Sequence, residues 1–188
     1  MQPTSLPMRR FIPFVKSPPL VSVLRLQGII AAQARGAALN DAGLAALIQR
    51  AFTKGKPSAV ALALNSPGGS PSQSSLIAAR IRRLADEKGI KVYAFIEDVA
   101  ASGGYYIAGA ADEIWVDRHS IVGSIGVISA GFGLDQLITR HGVERRVHTA
   151  GKSKSLLDPV RPEKPEDVAR LKELQEHIHA GFIDHVKS

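Results

Sequence analysis

Short apolar runs alternate with amphipathic segments along this chain from about residue 20 onward. The run Ala59-Val-Ala-Leu-Ala-Leu64 has the length of a strand, and its uninterrupted apolar character predicts a strand buried on both faces of a parallel sheet. The segments between such runs repeat apolar residues every three or four positions, as helices packed against a sheet do. Strands separated by helices imply right-handed crossovers, so the pattern predicts an α/β fold class.

The same pattern gives approximate bounds for the elements. Asn40 is expected to cap the helix that carries Leu44, Leu47, Ile48 and Phe52, and Gly89 to end the next helix. A long helix is predicted from about Glu166, with an apolar stripe on one side. Strands are predicted at 21–26, 59–64, 92–96, 114–116, 127–132 and 145–148, and shorter or intermediate helices at 72–88, after 102, and at 134–141.

Two of the apolar runs end in turns rich in glycine. The first ends at Asn65-Ser-Pro-Gly-Gly-Ser70, and the second leads into Ala101-Ser-Gly-Gly-Tyr105. Because parallel strands end at one edge of their sheet, the two turns are expected to face each other across a crevice. Ser102 then stands at a strand-to-helix turn, where it is either a simple helix cap or a nucleophile beside backbone N–H groups that stabilise an oxyanion.

A nucleophilic serine needs a base, and the residues alone leave the choice open. Of the six histidines, only His119 and His148 are reasonable partners, because the three near the C terminus lie among charged residues of the long helix. The other candidate is Lys154, which follows a predicted strand in a loop of small residues. A lysine base must be neutral, whereas most loop lysines are simply solvated.

Composition narrows the classes of function. The formal net charge of +7 comes from 24 basic and 17 acidic residues spread along the chain, with no interleaved aromatic residues of the kind that stack on bases. We therefore expect a basic surface and no nucleic-acid partner. There are no cysteines, which excludes disulfides and thiolate chemistry. We predict no metal and no cofactor.

Residues 1–19 are predicted to form a flexible N-terminal arm, because five prolines prevent a long helix there. The apolar part after Arg9 and Arg10 is too short for a signal peptide, and no run is long enough for a transmembrane helix. We expect a cytoplasmic protein. Phe11 and Phe14 beside the two arginines allow peripheral contact with a membrane, although docking of the arm on its own domain or a neighbouring subunit is favoured.

Four segments in order give the chain a strong family resemblance. Leu64-Asn-Ser-Pro-Gly-Gly-Ser70, Val99-Ala-Ala-Ser-Gly-Gly-Tyr-Tyr106, Val122-Gly-Ser-Ile-Gly-Val127 and Gly151-Lys-Ser-Lys-Ser155 closely resemble motifs of the S49 serine peptidases, the group of signal peptide peptidase A and SohB. The resemblance implies the ClpP/crotonase-like fold of repeated ββα units. It also implies hydrolysis of peptide bonds by a Ser-Lys dyad.

The motifs assign roles to individual positions. Ser102 matches the nucleophile and Lys154 the base, whereas Lys152 does not match it. Gly69 matches the glycine of the oxyanion hole, for which the Gly103 N–H is a natural second donor. Ser124 resembles the hydroxyl that orients the lysine amine.

The resemblance also sets expectations for organisation and partners. It covers residues 20–188 as one peptidase domain, which ends where relatives continue into a further C-terminal segment. Signal peptides or other extended, unfolded polypeptides are the expected substrates, and a homo-oligomer is the expected assembly. In such an assembly the stripe on the long helix would form a subunit interface instead of packing on the sheet. The alternatives are a non-catalytic scaffold of the same fold and an acyl-CoA-processing enzyme.

Overall fold

The computed structural model describes residues 18–33, 38–151 and 154–188. The predicted N-terminal arm up to residue 17 lies outside the described residues, and so does Lys152. The chain divides into two compact units, one ending at Ser124 and one running from Ile125 to Ser188. The predicted boundary between arm and domain at residue 20 stays a prediction.

The first unit alternates strands and helices, as the apolar pattern predicts. This order confirms the α/β fold class. The elements are β1 (Val21–Gln27), α1 (Asp41–Thr53), β2 (Ala59–Ser66), α2 (Pro71–Lys88), β3 (Lys91–Ala101), α3 (Gly103–Ala108), β4 (Glu113–Val116) and β5 (Ile121–Gly123).

The five strands form one sheet in which every pairing is parallel. Strands β1, β2, β3 and β4 lie side by side in that order. The long strand β3 pairs with β4 through residues 93–96 and with β5 through residues 99–101, so β4 and β5 follow each other along one edge. The sequence pattern predicts only residues 92–96 of β3 and misses β5.

One face of the sheet carries the core of this unit. Val60, Leu62 and Leu64 of β2 are fully buried, whereas the alanines between them are only partly buried. The prediction that this run is buried on both faces is therefore wrong. On the open face, Phe95 and Trp115 lie opposite each other in register and remain 44% and 56% exposed.

Local signals fix the ends of the two long helices of the first unit. The Gly43 N–H donates to Oδ1 of Asn40 at 2.8 Å, which confirms Asn40 as the cap of α1. Gly89 ends α2 with φ of +62°, as predicted. The Arg80 guanidinium binds both carboxylate oxygens of Asp41 at 2.6 Å and so ties α2 to α1.

The second unit contains α4 (Asp135–Arg140) and α5 (Pro165–Lys187). Both helices agree with the sequence pattern, but the strands predicted at 127–132 and 145–148 are absent. Ile128 and Phe132 are 87% and 83% exposed, and no described strand pairs with them. Along the predicted stripe of α5, Phe182 is buried, whereas Leu174 and Ile178 are exposed.

Among the helices in the described ranges, none is both long enough and apolar enough to cross a membrane.

Candidate active site

Ser102 occupies the single residue between β3 and α3. Its backbone has φ of +50° and ψ of −120°, a combination that a residue with a side chain adopts only under strain. Such strain costs about 1–3 kcal/mol and is found mostly where function requires it. The side chain makes no capping hydrogen bond to α3, so the interpretation of Ser102 as a simple helix cap fails.

The backbone of Ser102 is held on both sides. Its N–H donates to the Gly123 carbonyl at 2.8 Å, and its own carbonyl accepts the Tyr106 N–H at 3.0 Å. The first bond continues the pairing between β3 and β5, in which Ala101 lies opposite Gly123. The end of β5 therefore fixes the turn that presents the hydroxyl.

The glycine-rich turn after β2 lies directly against Ser102, as predicted from the parallel sheet. A β-carbon placed on Gly68 would lie 2.9 Å from the Ser102 β-carbon, 2.6 Å from the Ala101 carbonyl oxygen and 2.7 Å from the Gly103 nitrogen. An irregularity in the pairing of β2 with β3 produces this contact. Leu64 pairs with Ile96, but the next pair joins Ser66 to Ala100, so β3 advances four residues while β2 advances two.

Gly69 has an N–H that is available to a ligand. The adjoining Gly68 carbonyl accepts the Ile30 N–H at 2.9 Å, and the Ser70 N–H donates to the Ile30 carbonyl at 2.8 Å. In a planar trans peptide the N–H points opposite to the carbonyl, so the Gly69 N–H is directed away from Ile30. Within the described part of the chain, this N–H has no hydrogen-bond acceptor.

Gly103 and Gly104 are required by packing within the protein. A β-carbon on Gly103 would clash with the Ser74 hydroxyl, and one on Gly104 would lie 2.5 Å from the Ser66 carbonyl oxygen. The close approach that these two glycines permit is that of α2 and β2 to the start of α3. The Gly103 N–H belongs to the first turn of α3, whose N–H groups have no partners within the helix.

Ser124 immediately follows the carbonyl that accepts the Ser102 N–H. It is exposed and has φ of +54°, in the left-handed region. The structure therefore brings Ser124 close to Ser102 along the backbone of β5. His119 precedes β5, so the whole of that short strand lies between it and Ser124. Its ring nitrogen contacts the Asp117 carboxylate at 3.2 Å, and 85% of its side chain is exposed.

Lys154 belongs to the second unit, where it is exposed in a turn. The following residue, Ser155, donates its hydroxyl to Asp158 at 3.3 Å, and Arg145 binds the same carboxylate oxygen at 3.3 Å. The Val160 N–H also donates to this carboxylate, and these bonds hold the pKa of Asp158 below its usual value. Asp158 thus organises the loop that carries Lys154.

Sequence reasoning missed several residues that build this site. Ile30 gives no sequence signal, and Gly123 lies in the third motif without a role assigned to it, because both residues act through backbone groups. Ser66 does give one, since it continues the inward alternation of Val60, Leu62 and Leu64. Within the three described ranges, no cluster of His, Asp or Glu could hold a metal ion.

Comparison with known proteins identifies relatives over most of the chain. The family model "Peptidase family S49" matches residues 85–188. The Na(+)/H(+) antiporter NhaA of Brucella melitensis is 54% identical over 169 residues, which are 89% of this chain and 23% of that protein. The chloroplastic serine protease SPPA of Arabidopsis thaliana is 34% identical over 164 residues, 87% of this chain and 24% of that protein.

A third relative matches a shorter part. "Probable protease SohB" of Haemophilus influenzae is 40% identical over 95 residues, covering 50% of this chain and 27% of that protein. The chain thus spans about a quarter of the length of these curated relatives. The matches confirm the resemblance drawn from the four motifs.

Proposed function

Because the chain belongs to peptidase family S49, with its ClpP/crotonase-like α/β fold, we propose that it carries the active site of a serine peptidase. Ser102 is the nucleophile and Lys154 the general base. The relatives named as proteases support the reaction class.

The strained backbone of Ser102 carries this proposal. A serine at φ of +50° that does not cap its helix gains nothing in stability from its position. Glycine would adopt the same conformation at lower cost. The hydroxyl at this turn is therefore better explained by chemistry than by folding.

The proposed reaction proceeds through an acyl-enzyme. The neutral Lys154 amine takes the proton of the Ser102 hydroxyl while Oγ forms a bond to the carbonyl carbon of the peptide. The C–N bond then breaks, and the lysine passes the proton to the departing amine. Water attacks the ester with the same lysine as base, releasing the carboxylate product and restoring the serine.

Backbone N–H groups stabilise the negative charge that develops on the carbonyl oxygen. We assign this role to Gly69 and Gly103, whose turns are in contact through Gly68. Loss of one such donor typically lowers kcat by about 10²–10³-fold. Ser124, one residue beyond the carbonyl that binds Ser102, orients the lysine amine in this proposal.

The proposed substrates are signal peptides or other extended, unfolded polypeptides, bound by a homo-oligomer of this chain. An unfolded chain suits this site, because its backbone can approach the exposed Gly69 directly.

The test is cleavage of a reduced and alkylated polypeptide, followed by mass spectrometry at mildly alkaline pH. The unmodified protein should cleave it, and Ser102→Ala and Lys154→Ala should each lower the rate by at least about 10³-fold. Lys152→Ala is the matched control, because it removes a lysine two residues away that does not match the motif.

Three results would contradict this proposal. Equal losses in Lys152→Ala and Lys154→Ala would show a general effect of positive charge and not a specific base. Turnover of an acyl-CoA by Ser102→Ala would favour the acyl-CoA enzyme, and assembly without any cleavage would favour a scaffold.

A further inference from the structure

Ser66 is a fully buried serine beside the proposed oxyanion hole. In the described part of the chain it is one of two polar residues that are completely buried, the other being Ser74. Burying a hydroxyl costs free energy unless it is hydrogen-bonded. The last position of β2 therefore holds a polar group in a place where an apolar residue would continue the core.

The Ser66 hydroxyl joins two backbone segments that meet at the site. It donates to the Gly28 carbonyl oxygen at 2.7 Å and accepts the Gly68 N–H at 3.2 Å. Gly28 follows β1, and its own N–H donates to the Asn65 carbonyl at 2.9 Å. One hydroxyl thus connects the end of β1 to the turn that touches Ser102.

These bonds determine the orientation of two successive peptide groups. The Gly68 N–H is held by Ser66, and the Gly68 carbonyl by the Ile30 N–H at 2.9 Å. With both sides of Gly68 fixed, the following peptide can present the Gly69 N–H in only one direction. Glycine at φ of +97° has no side chain to restrict its backbone, so these hydrogen bonds supply the restriction.

We propose that Ser66 is a positioning residue that aligns the Gly69 N–H with the oxyanion formed on Ser102. This inference rests on the proposed peptidase function and adds to it a buried residue that acts through the backbone of Gly68. Its contribution belongs to the transition state, because an oxyanion exists only after the serine has attacked.

The first experiment compares Ser66→Ala with the unmodified full chain in two assays. Steady-state cleavage should show kcat lowered by about 10-fold with KM unchanged, since a misaligned donor loses part of the effect of a missing one. The dependence of kcat on pH should keep its midpoint, because the base is unaffected. Amide hydrogen exchange measured by NMR should be faster at Gly68, whose N–H loses its acceptor.

Three further variants separate positioning from packing and from stability. Ser66→Cys fills the space with a weak hydrogen-bonding group and should behave like Ser66→Ala. Ser58→Ala removes a serine that also bonds a β1 flank, through the Leu20 carbonyl at 3.1 Å, but at the opposite end of the same strands. Ile48→Val lowers stability by a comparable amount in the core of α1. The last two should keep their full kcat.

The outcomes are separable. Equal losses of kcat in Ser66→Ala and Ile48→Val, or full activity in Ser66→Cys, would overturn the positioning role. If the unmodified chain cleaves nothing, the proposed function fails, and Gly68 exchange still decides whether Ser66 holds the turn. Unchanged exchange at Gly68 in Ser66→Ala would overturn the inference in either case.

Discussion

Replacing Gly68 with alanine tests the contact between the two glycine-rich turns most directly. The added β-carbon would meet three atoms within 2.9 Å, and two of these belong to the backbone on either side of Ser102. Backbone atoms cannot move aside as the end of a long side chain can. We therefore expect the turn after β2 to be pushed away from Ser102.

The size of the effect follows from two contributions. Alanine at φ of +97° is strained, at a cost of about 1–2 kcal/mol. Overpacking of a rigid contact adds about 1–3 kcal/mol. The sum of about 2–5 kcal/mol is a large part of the stability of an ordinary domain, which is about 5–15 kcal/mol.

Gly89→Ala provides the matched control. Gly89 also has a positive φ, +62°, but a β-carbon there has nothing within 4 Å. The Gly89→Ala variant should therefore lose only the free energy of unfolding that corresponds to backbone strain, about 1–2 kcal/mol. Urea unfolding followed by Trp115 fluorescence gives both free energies of unfolding, and the peptidase assay gives both rates.

The comparison has a clear negative outcome. If Gly68→Ala loses no more stability than Gly89→Ala and keeps its activity, the turn can move without consequence. The close contact with Ser102 would then not be a requirement of the site.

Three further predictions concern strain, charge and assembly. Ser102→Gly should be more stable to urea than Ser102→Ala by about 1 kcal/mol or more, because glycine relieves the positive φ; equal stabilities would show that the residue is unstrained. Asp41→Asn should lose about 1–2 kcal/mol at pH 7. Arg80 holds the pKa of Asp41 below 3.8, so the ionised pair stabilises the protein above that pH. The loss should shrink as the pH falls through the lowered pKa, and a loss constant with pH in urea unfolding would contradict this. Mixing the Ser102→Ala and Lys154→Ala proteins should restore cleavage if each active site combines residues of two subunits. No recovery after verified subunit exchange would show that the serine and lysine of each site come from the same subunit.

The fold of the first unit was largely predictable because its signals are local. Asn40 and Gly89 act within one helical turn, and the apolar runs have the length of strands. The open face of the sheet was visible in principle as well. Large residues at 60, 62 and 64 alternate with alanines at 59, 61 and 63, so the size pattern had period two even though polarity did not.

The strand predictions were wrong where a strand depends on a partner that is distant in the sequence. β5 is only three residues long and exists because residues 99–101 extend β3 far enough to pair with it. Residues 127–132 carry a comparable apolar pattern but have no partner strand among the described residues, and they form no regular secondary structure. The pattern of apolar side chains predicts which residues a strand would bury, but it does not predict whether a partner strand is available to pair with it.

The sequence predicted which residues form the candidate site, but it did not predict the backbone hydrogen bonds that hold them in place. Ser102, Gly69, Gly103 and Ser124 belong to motifs, whereas the backbone groups of Ile30 and Gly123 act regardless of side chain. The irregular pairing of β2 with β3 also has no local signature, although it brings Gly68 opposite Ser102. Such features follow only from the assembled sheet.

The length of β3 connects these supports. Its residues 99–101 pair with β5, which supplies the Gly123 carbonyl to Ser102, and its Ala100 pairs with Ser66, whose hydroxyl holds the neighbouring turn. The support of Ser102 and the support of the neighbouring turn therefore both depend on the last three residues of β3. A substitution that frays this end of β3 should release Ser102 and the Gly69 N–H together, whereas changes in Ser66 alone should affect only the second. The pairing of β3 with β5 thus holds Ser102, its pairing with β2 holds the turn of the oxyanion donor, and one strand positions both groups.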